Sequence, residues 1–179
     1  NYVVMYNGIP ACTVYGSASA GVTNSSQNMG WNSQPYLVNV TSPYESMYGA
    51  AWQNKTNTIG IARMKDNIEN KLGISTAGYD YANWLTNPVF DQYGYCTQIT
   101  VCGKVVSGGK FYENCYGLYS PNFTFQYLGS TQGWKFVTQG NGHCVGMSQY
   151  GAMGYAANGY TWQQILQHYY PGTTITTIK

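Results

Sequence analysis

The spacing of apolar and polar positions divides this chain into short elements. VVMY and ACTVY lie either side of Asn7-Gly8, the strongest short turn signal, and predict a hairpin over Asn1 to Tyr15. GSASAGVTNSSQNMG, residues 16–30, is polar and rich in Gly and Ser. It is long for a connection inside a domain, and loops of that length are functional or disordered. Pro35 to Val40 reads as an extended apolar run. From Gly60 to Leu72 the positions Ile61, Met64, Ile68 and Leu72 share one helical face, and Gly73 stops the helix. Thr97–Val106 and Lys110–Gln126 read as strands, with Ser107-Gly108-Gly109 as the turn between them. Ser148 caps a helix running to Asn158, ahead of Gly159. Thr161-Trp162-Gln163-Gln164 is a capping box opening a last helix that Pro171-Gly172 ends. Strands first and helices last predict a single α+β domain over 1–179: antiparallel strands and hairpins with a few short helices, two of them C-terminal.

Composition narrows the function classes. Charged residues make up 8% of the chain, net charge is +2, and Lys and Arg form no cluster, which argues against nucleic acid as a partner. No apolar window is long enough to span a membrane. Nineteen tyrosines offer flat faces with a hydroxyl, suited to sugar rings as well as to a β core. Five cysteines with low charge point to an extracytoplasmic location. Cys96, Cys102 and Cys115 are expected to supply a disulfide, with Cys144 outside that set. The chain starts at Asn1 without Met and reads as a processed or excised piece.

The candidate chemistry is sparse. The acids are Glu45, Asp66, Glu69, Asp80, Asp91 and Glu113. Asp66 and Glu69 fall among Arg63, Lys65 and Lys71 on a solvated helix face. Glycoside cleavage needs a carboxyl held in an apolar cleft, and Glu45 in SPYESMYG is only a weak local candidate for the acid. His143-Cys144 is a poor nucleophile pair, because adjacent side chains rarely align for proton transfer, and zinc-ligand spacings are absent. His168 is expected to pack against Tyr169. Helix capping leaves the glycines around His143, in GNGHCVGMSQYGA, unexplained. Two readings stand: His143 donates to a substrate oxygen beside a helix N-terminus, or it bonds the backbone of its own bend.

Four stretches carry a resemblance. GNGHCVGMSQYGAMGYAANGYTWQQILQHYYPGTTI is similar to the C-terminal signature of the SpoIID/LytB family of bacteria, sporulation protein D and the amidase enhancers. VVMYNGIPACTVYGSASAGVT, QPYLVNVTSPYE and YGLYSPNF match further family segments in the same order. The resemblance implies action on peptidoglycan glycan strands without a cofactor or metal. For sporulation protein D it implies lytic transglycosylase chemistry on peptide-stripped glycan; for the amidase enhancers, modulation of a cell-wall amidase. Such an amidase, or other wall and sporulation proteins, are the further partners implied. It places His143, Ser148 and Gln149, with Tyr15, Ser17, Ser19 and Thr23 from the polar loop, along a glycan cleft. Cys144 stands where the family has Gly, Gly16 where a His or aromatic residue is common, and Glu113 where an Arg is frequent. The family's catalytic Glu belongs to an earlier helical segment that these residues lack. The chain is therefore expected to be the C-terminal portion of a SpoIID-like domain, extracytoplasmic and inactive alone. The alternative is a non-catalytic wall-binding or amidase-enhancer module.

Overall fold

The computed structural model describes residues 1–177. β1 (Tyr2–Tyr6) and β2 (Ile9–Pro10) form the expected hairpin, and Asn7 and Gly8 take the positive φ values, 50° and 78°, that such a turn requires. β3 (Tyr15–Gly16), α1 (Ser26–Met29) and α2 (Ser46–Gly49) follow, embedded in the polar loop and the segment after it. The middle of the chain supplies β4 (Lys55–Ile59), α3 (Ile61–Asp66), β5 (Leu85–Phe90), β6 (Cys96–Val101), β7 (Lys104–Ser107), α4 (Gly108–Asn114), β8 (Asn122–Tyr127) and β9 (Trp134–Gln139). β10 (Met147–Ser148), α5 (Gln149–Ala157), α6 (Trp162–Tyr169) and β11 (Thr174–Thr177) close it.

The fold is α+β, built from antiparallel sheets β11-β1-β2, β4-β9-β8 and β5-β6-β7 and one short parallel pair, β10-β3. Helices are distributed along the chain rather than gathered at its end, although α5 and α6 are C-terminal as expected. Two cores result. One packs the β4-β9-β8 and β5-β6-β7 sheets with α3 and α4 around Trp134, Phe136, Ile99 and Met64. The other packs α5 and α6 with the polar-loop region around Tyr169, Tyr170, Val145 and Met29.

Several local expectations are corrected. Thr97–Val106 is not one strand: Cys102 and Gly103, at φ 44° and 73°, turn the chain between β6 and β7. Ser107-Gly108-Gly109 is not a turn between strands, and Lys110–Gln126 is not a strand. The Ser107 hydroxyl accepts from the Lys110 N–H and caps α4, and only β8 is extended there. A Cβ on Gly108 would lie 1.7 Å from the Cys96 carbonyl oxygen, so glycine is what lets α4 lie on β6. Pro35–Val40 forms no strand. It is a turn segment whose Leu37 and Val40 carbonyls accept from the Ser26 and Thr23 N–H groups.

Other expectations hold. Met64, Ile68 and Leu72 are buried on one face, and the helix continues past α3 as a wider π-type turn to Lys71. The capping box at Thr161 is complete, with Gln164 returning the bond. The disulfide expected from Cys96, Cys102 and Cys115 is a further correction: all five cysteines are free, and these three pack as small apolar side chains in the first core.

Candidate functional site

The polar loop is ordered because it wraps the Gly-rich bend. Ala18 and Asn141 exchange backbone hydrogen bonds at 3.2 and 2.9 Å, and the Asn24 N–H donates to the Cys144 carbonyl at 2.8 Å. β3 and β10 add a parallel step that pairs Tyr15 with Met147 and Gly16 with Ser148. Within the bend Gly140, Gly142, Cys144 and Gly146 all have positive φ, between 62° and 94°. At Gly146 a Cβ would sit 2.0 Å from the Val14 carbonyl oxygen. The glycines around His143 therefore serve backbone geometry that helix capping alone does not need. Cys144 is the one L-residue forced into this conformation. Its Sγ lies 3.3 Å from the carbonyl oxygens of Ala18 and Gly142.

His143 is half-buried, and its Nδ1 accepts the Val145 N–H at 3.0 Å. Burial holds its pKa below 6.5, opposed by the Tyr15 carbonyl, which accepts from the ring, and by the nearby Glu113 carboxylate. A neutral ring that accepts at Nδ1 carries its proton on Nε2. The Nδ1 bond to Val145 is a bond to the backbone of its own bend, as in the second of the two readings, and the bond to Tyr15 adds a tie to β3. The imidazole and Trp31 rings meet edge-on with centroids 5.0 Å apart. The Trp31 indole N–H donates to Glu113 Oε1 at 2.9 Å. On the other flank the Gly140 and Gly142 N–H groups donate to the Trp52 and Tyr119 carbonyls, at 2.8 and 2.9 Å. The rings of those two residues lie 5.8 Å apart. The Trp31 ring thus packs on the bend through His143, while Trp52 and Tyr119 meet the bend through their backbone carbonyls.

The seven expected contact residues divide by exposure. Tyr15 is 59% exposed and Gln149 is exposed at the first turn of α5, while Ser17 and His143 are half-buried. Ser19, Thr23 and Ser148 are buried, with their hydroxyls engaged inside the protein. Thr23 Oγ1 donates to the Val38 carbonyl and accepts from the Val40 N–H. Ser148 caps α5 by accepting the Gly151 N–H at 3.1 Å.

Glu45 is the least expected member. It is 1% exposed, and its carboxylate accepts from the Ser19 N–H, from Ser19 Oγ at 2.5 Å and from Ser148 Oγ at 2.5 Å. Cys144, fully enclosed, has its thiol pushed up to about 12 by burial, which removes it as a nucleophile. His168 is placed elsewhere, with Nε2 2.6 Å from the Thr41 carbonyl and its ring 5.0 Å from Tyr169. Among the described residues no group of three His, Cys, Asp or Glu side chains could hold a metal ion.

Sequence reasoning passed over Trp31, Trp52 and the organising place of Glu45. Nothing local marks the tryptophans. Only the approach of distant segments brings them to the bend.

No family model matches the chain. It is 31% identical over 175 residues to Stage II sporulation protein D of Bacillus subtilis (strain 168), covering 97% of this chain and 48% of that protein. With the protein of the same name from Bacillus amyloliquefaciens it shares 29% identity over 174 residues, 97% of this chain and 47% of that one. The chain belongs to the SpoIID/LytB family. An amidase enhancer of Bacillus subtilis is 54% identical over 39 residues, 22% of this chain and 6% of that protein. The chain spans just under half the length of the two sporulation proteins.

Proposed function

We propose that this chain is the glycan-contacting portion of a SpoIID-type, extracytoplasmic protein that acts on peptidoglycan, and that the parent protein is a lytic transglycosylase of peptide-stripped strands. The observation carrying this reading is the Gly-rich bend with the Trp31 ring packed against its His143, next to Trp52 and Tyr119, whose carbonyls accept from Gly140 and Gly142 and whose rings pair with each other. Aromatic faces pack on the apolar faces of sugar rings, and a bend of glycines lets the backbone approach closely. Tyr15, Ser17, His143 and Gln149 would meet the glycan. Ser19, Thr23 and Ser148 would shape the surface from behind.

Glu45 is too enclosed to protonate a glycosidic oxygen, since an acid must come within hydrogen-bond reach of its acceptor. We assign the acid to a segment of the parent protein outside these residues. Incubating residues 1–179 with peptide-stripped glycan should give retention of the glycan without anhydro-muramic products in the mass spectrum. Cleavage products that vanish in Glu45→Gln would refute this division of labour.

The amidase-enhancer match over 39 residues favours a second reading, a non-catalytic module that presents a wall amidase to its substrate. A parent protein that raises amidase turnover on whole peptidoglycan, and releases no anhydro ends itself, would select it.

A further inference from the structure

We propose that Glu45 is a positioning residue: one buried carboxylate clamps both ends of the Gly140–Ser148 bend and so sets the surface His143 presents. The argument starts from chemistry. A carboxylate almost fully removed from water is costly unless donors surround it, and Glu45 has no cationic partner among the described residues. Its stabilisation comes instead from the Ser19 N–H and the Ser19 and Ser148 hydroxyls. All are donors, and both carboxylate oxygens accept from them.

The two serines stand at opposite ends of the bend. Ser19 follows Ala18, which exchanges both backbone bonds with Asn141 at the start of the bend. Ser148 ends the bend, pairs with Gly16 in the β10–β3 step and caps α5. The Ser148 hydroxyl has one proton. At 2.5 Å from Glu45 against 3.4 Å from the Ser17 carbonyl, the proton goes to Glu45. That leaves the oxygen lone pairs for the Gly151 N–H. Polar loop, α2 and α5 are thus joined through one side chain, and His143 lies between the two clamped points. Glu45 itself touches no glycan.

The role as a setter of glycan contact rests on the reading of the bend given above, and the test separates the two. Hydrogen–deuterium exchange is measured on the 179-residue protein as wild type, Glu45→Ala and Glu45→Gln. Ile99→Ala, in the other core, serves as a control for general destabilisation. Glu45→Ala should speed exchange in peptides covering 16–24 and 140–151 at least tenfold, with β4, β8 and β9 unchanged. Glu45→Gln keeps the shape but swaps one acceptor for a donor, and should fall between wild type and alanine. It carries the test if the alanine variant does not fold. Retention on peptide-stripped glycan should fall tenfold or more for Glu45→Ala, or measurably for Glu45→Gln, and stay at the wild-type level for Ile99→Ala. Exchange that rises uniformly over the chain, or a Glu45→Gln variant matching wild type at the bend, would overturn the clamp. A wild type that retains no glycan while the bend loosens as stated would overturn the glycan reading and leave the clamp standing.

Discussion

Replacing His143 with Ala and, separately, with Asn distinguishes the ring's structural work from its surface role. Alanine removes the acceptor of the Val145 N–H, a donor on a fully buried residue. A buried donor left without a partner costs about 1–3 kcal/mol. Alanine also removes the edge-on contact with Trp31, a kind of pair that contributes about 0.5–1.5 kcal/mol. The sum is roughly 3 kcal/mol. For a chain of this size each kcal/mol moves Tm by about 2–4 °C, so the melt should fall by roughly 10 °C. Asparagine is the informative companion. The Nδ1 bond runs from residue 143 to the N–H two positions on, and an Asn side-chain oxygen makes that same bond in an Asx-turn. His143→Asn should therefore recover about 1–2 kcal/mol of the alanine loss, while glycan retention stays impaired because the ring is still missing. Differential scanning calorimetry with glycan pull-down on both variants decides it. An Asn variant no more stable than the Ala variant would refute the assigned Nδ1 bond. An Ala variant melting at the wild-type temperature would refute any structural role for the ring.

The same ring gives a pH signature. Burial depresses its folded pKa below 6.5, so the unfolded chain takes up a proton that the folded chain resists. Stability is fully present above 6.5, falls as pH drops from there toward the folded value, and loses nothing more from this group below it. In Tm measured from about pH 8 to 5, that decline should be smaller in His143→Asn, and parallel profiles would count against it. Gly151→Ala would place a Cβ 2.1 Å from both Ser42 Oγ and the Tyr169 hydroxyl, which bond each other at 2.7 Å. Overpacking there should cost about 3 kcal/mol, and a variant with an unchanged denaturant midpoint would show that α5 is less tightly seated than described. Among the thiols only Cys12 is exposed. Burial pushes Cys96, Cys115 and Cys144 up to about 12. Native protein should thus titrate one fast thiol with Ellman's reagent and five after unfolding, and a bridge found by non-reducing peptide mapping would contradict this.

The legible parts of this chain were those with local chemistry. Asn7-Gly8, the capping box at Thr161, the Ser148 cap and the face shared by Met64, Ile68 and Leu72 all depend on neighbours within a few residues, and all formed as read. What the pattern misassigned depended on distance. Gly108-Gly109 has the look of a turn, but these glycines are small because α4 must lie against β6 and α1. The cysteines between 96 and 115 are close in sequence, yet core packing rather than spacing fixes them as thiols. At the site, the motif residues could be named from the sequence, but their exposure was not readable. Ser19 and Ser148 are polar in sequence and buried in the fold because a carboxylate from a third segment meets them there. Trp31 and Trp52 gave no local signal, since only long-range contacts bring them to the bend, Trp31 through its ring on His143 and Trp52 through the carbonyl that accepts from Gly140.

The central claim, that the bend and the aromatic residues that contact it form the glycan surface, is tested most directly by titrating isotopically labelled protein with peptide-stripped glycan and following backbone amide shifts. Saturable shifts should concentrate at Tyr15–Ser17, Gly140–His143 and Gln149, with the indole signals of Trp31 and Trp52. They should be lost when Trp31 is replaced by Ala. Shifts gathered instead at the apolar groove between Leu85, Phe90 and Phe125, or no saturable shift at millimolar glycan, would contradict the account.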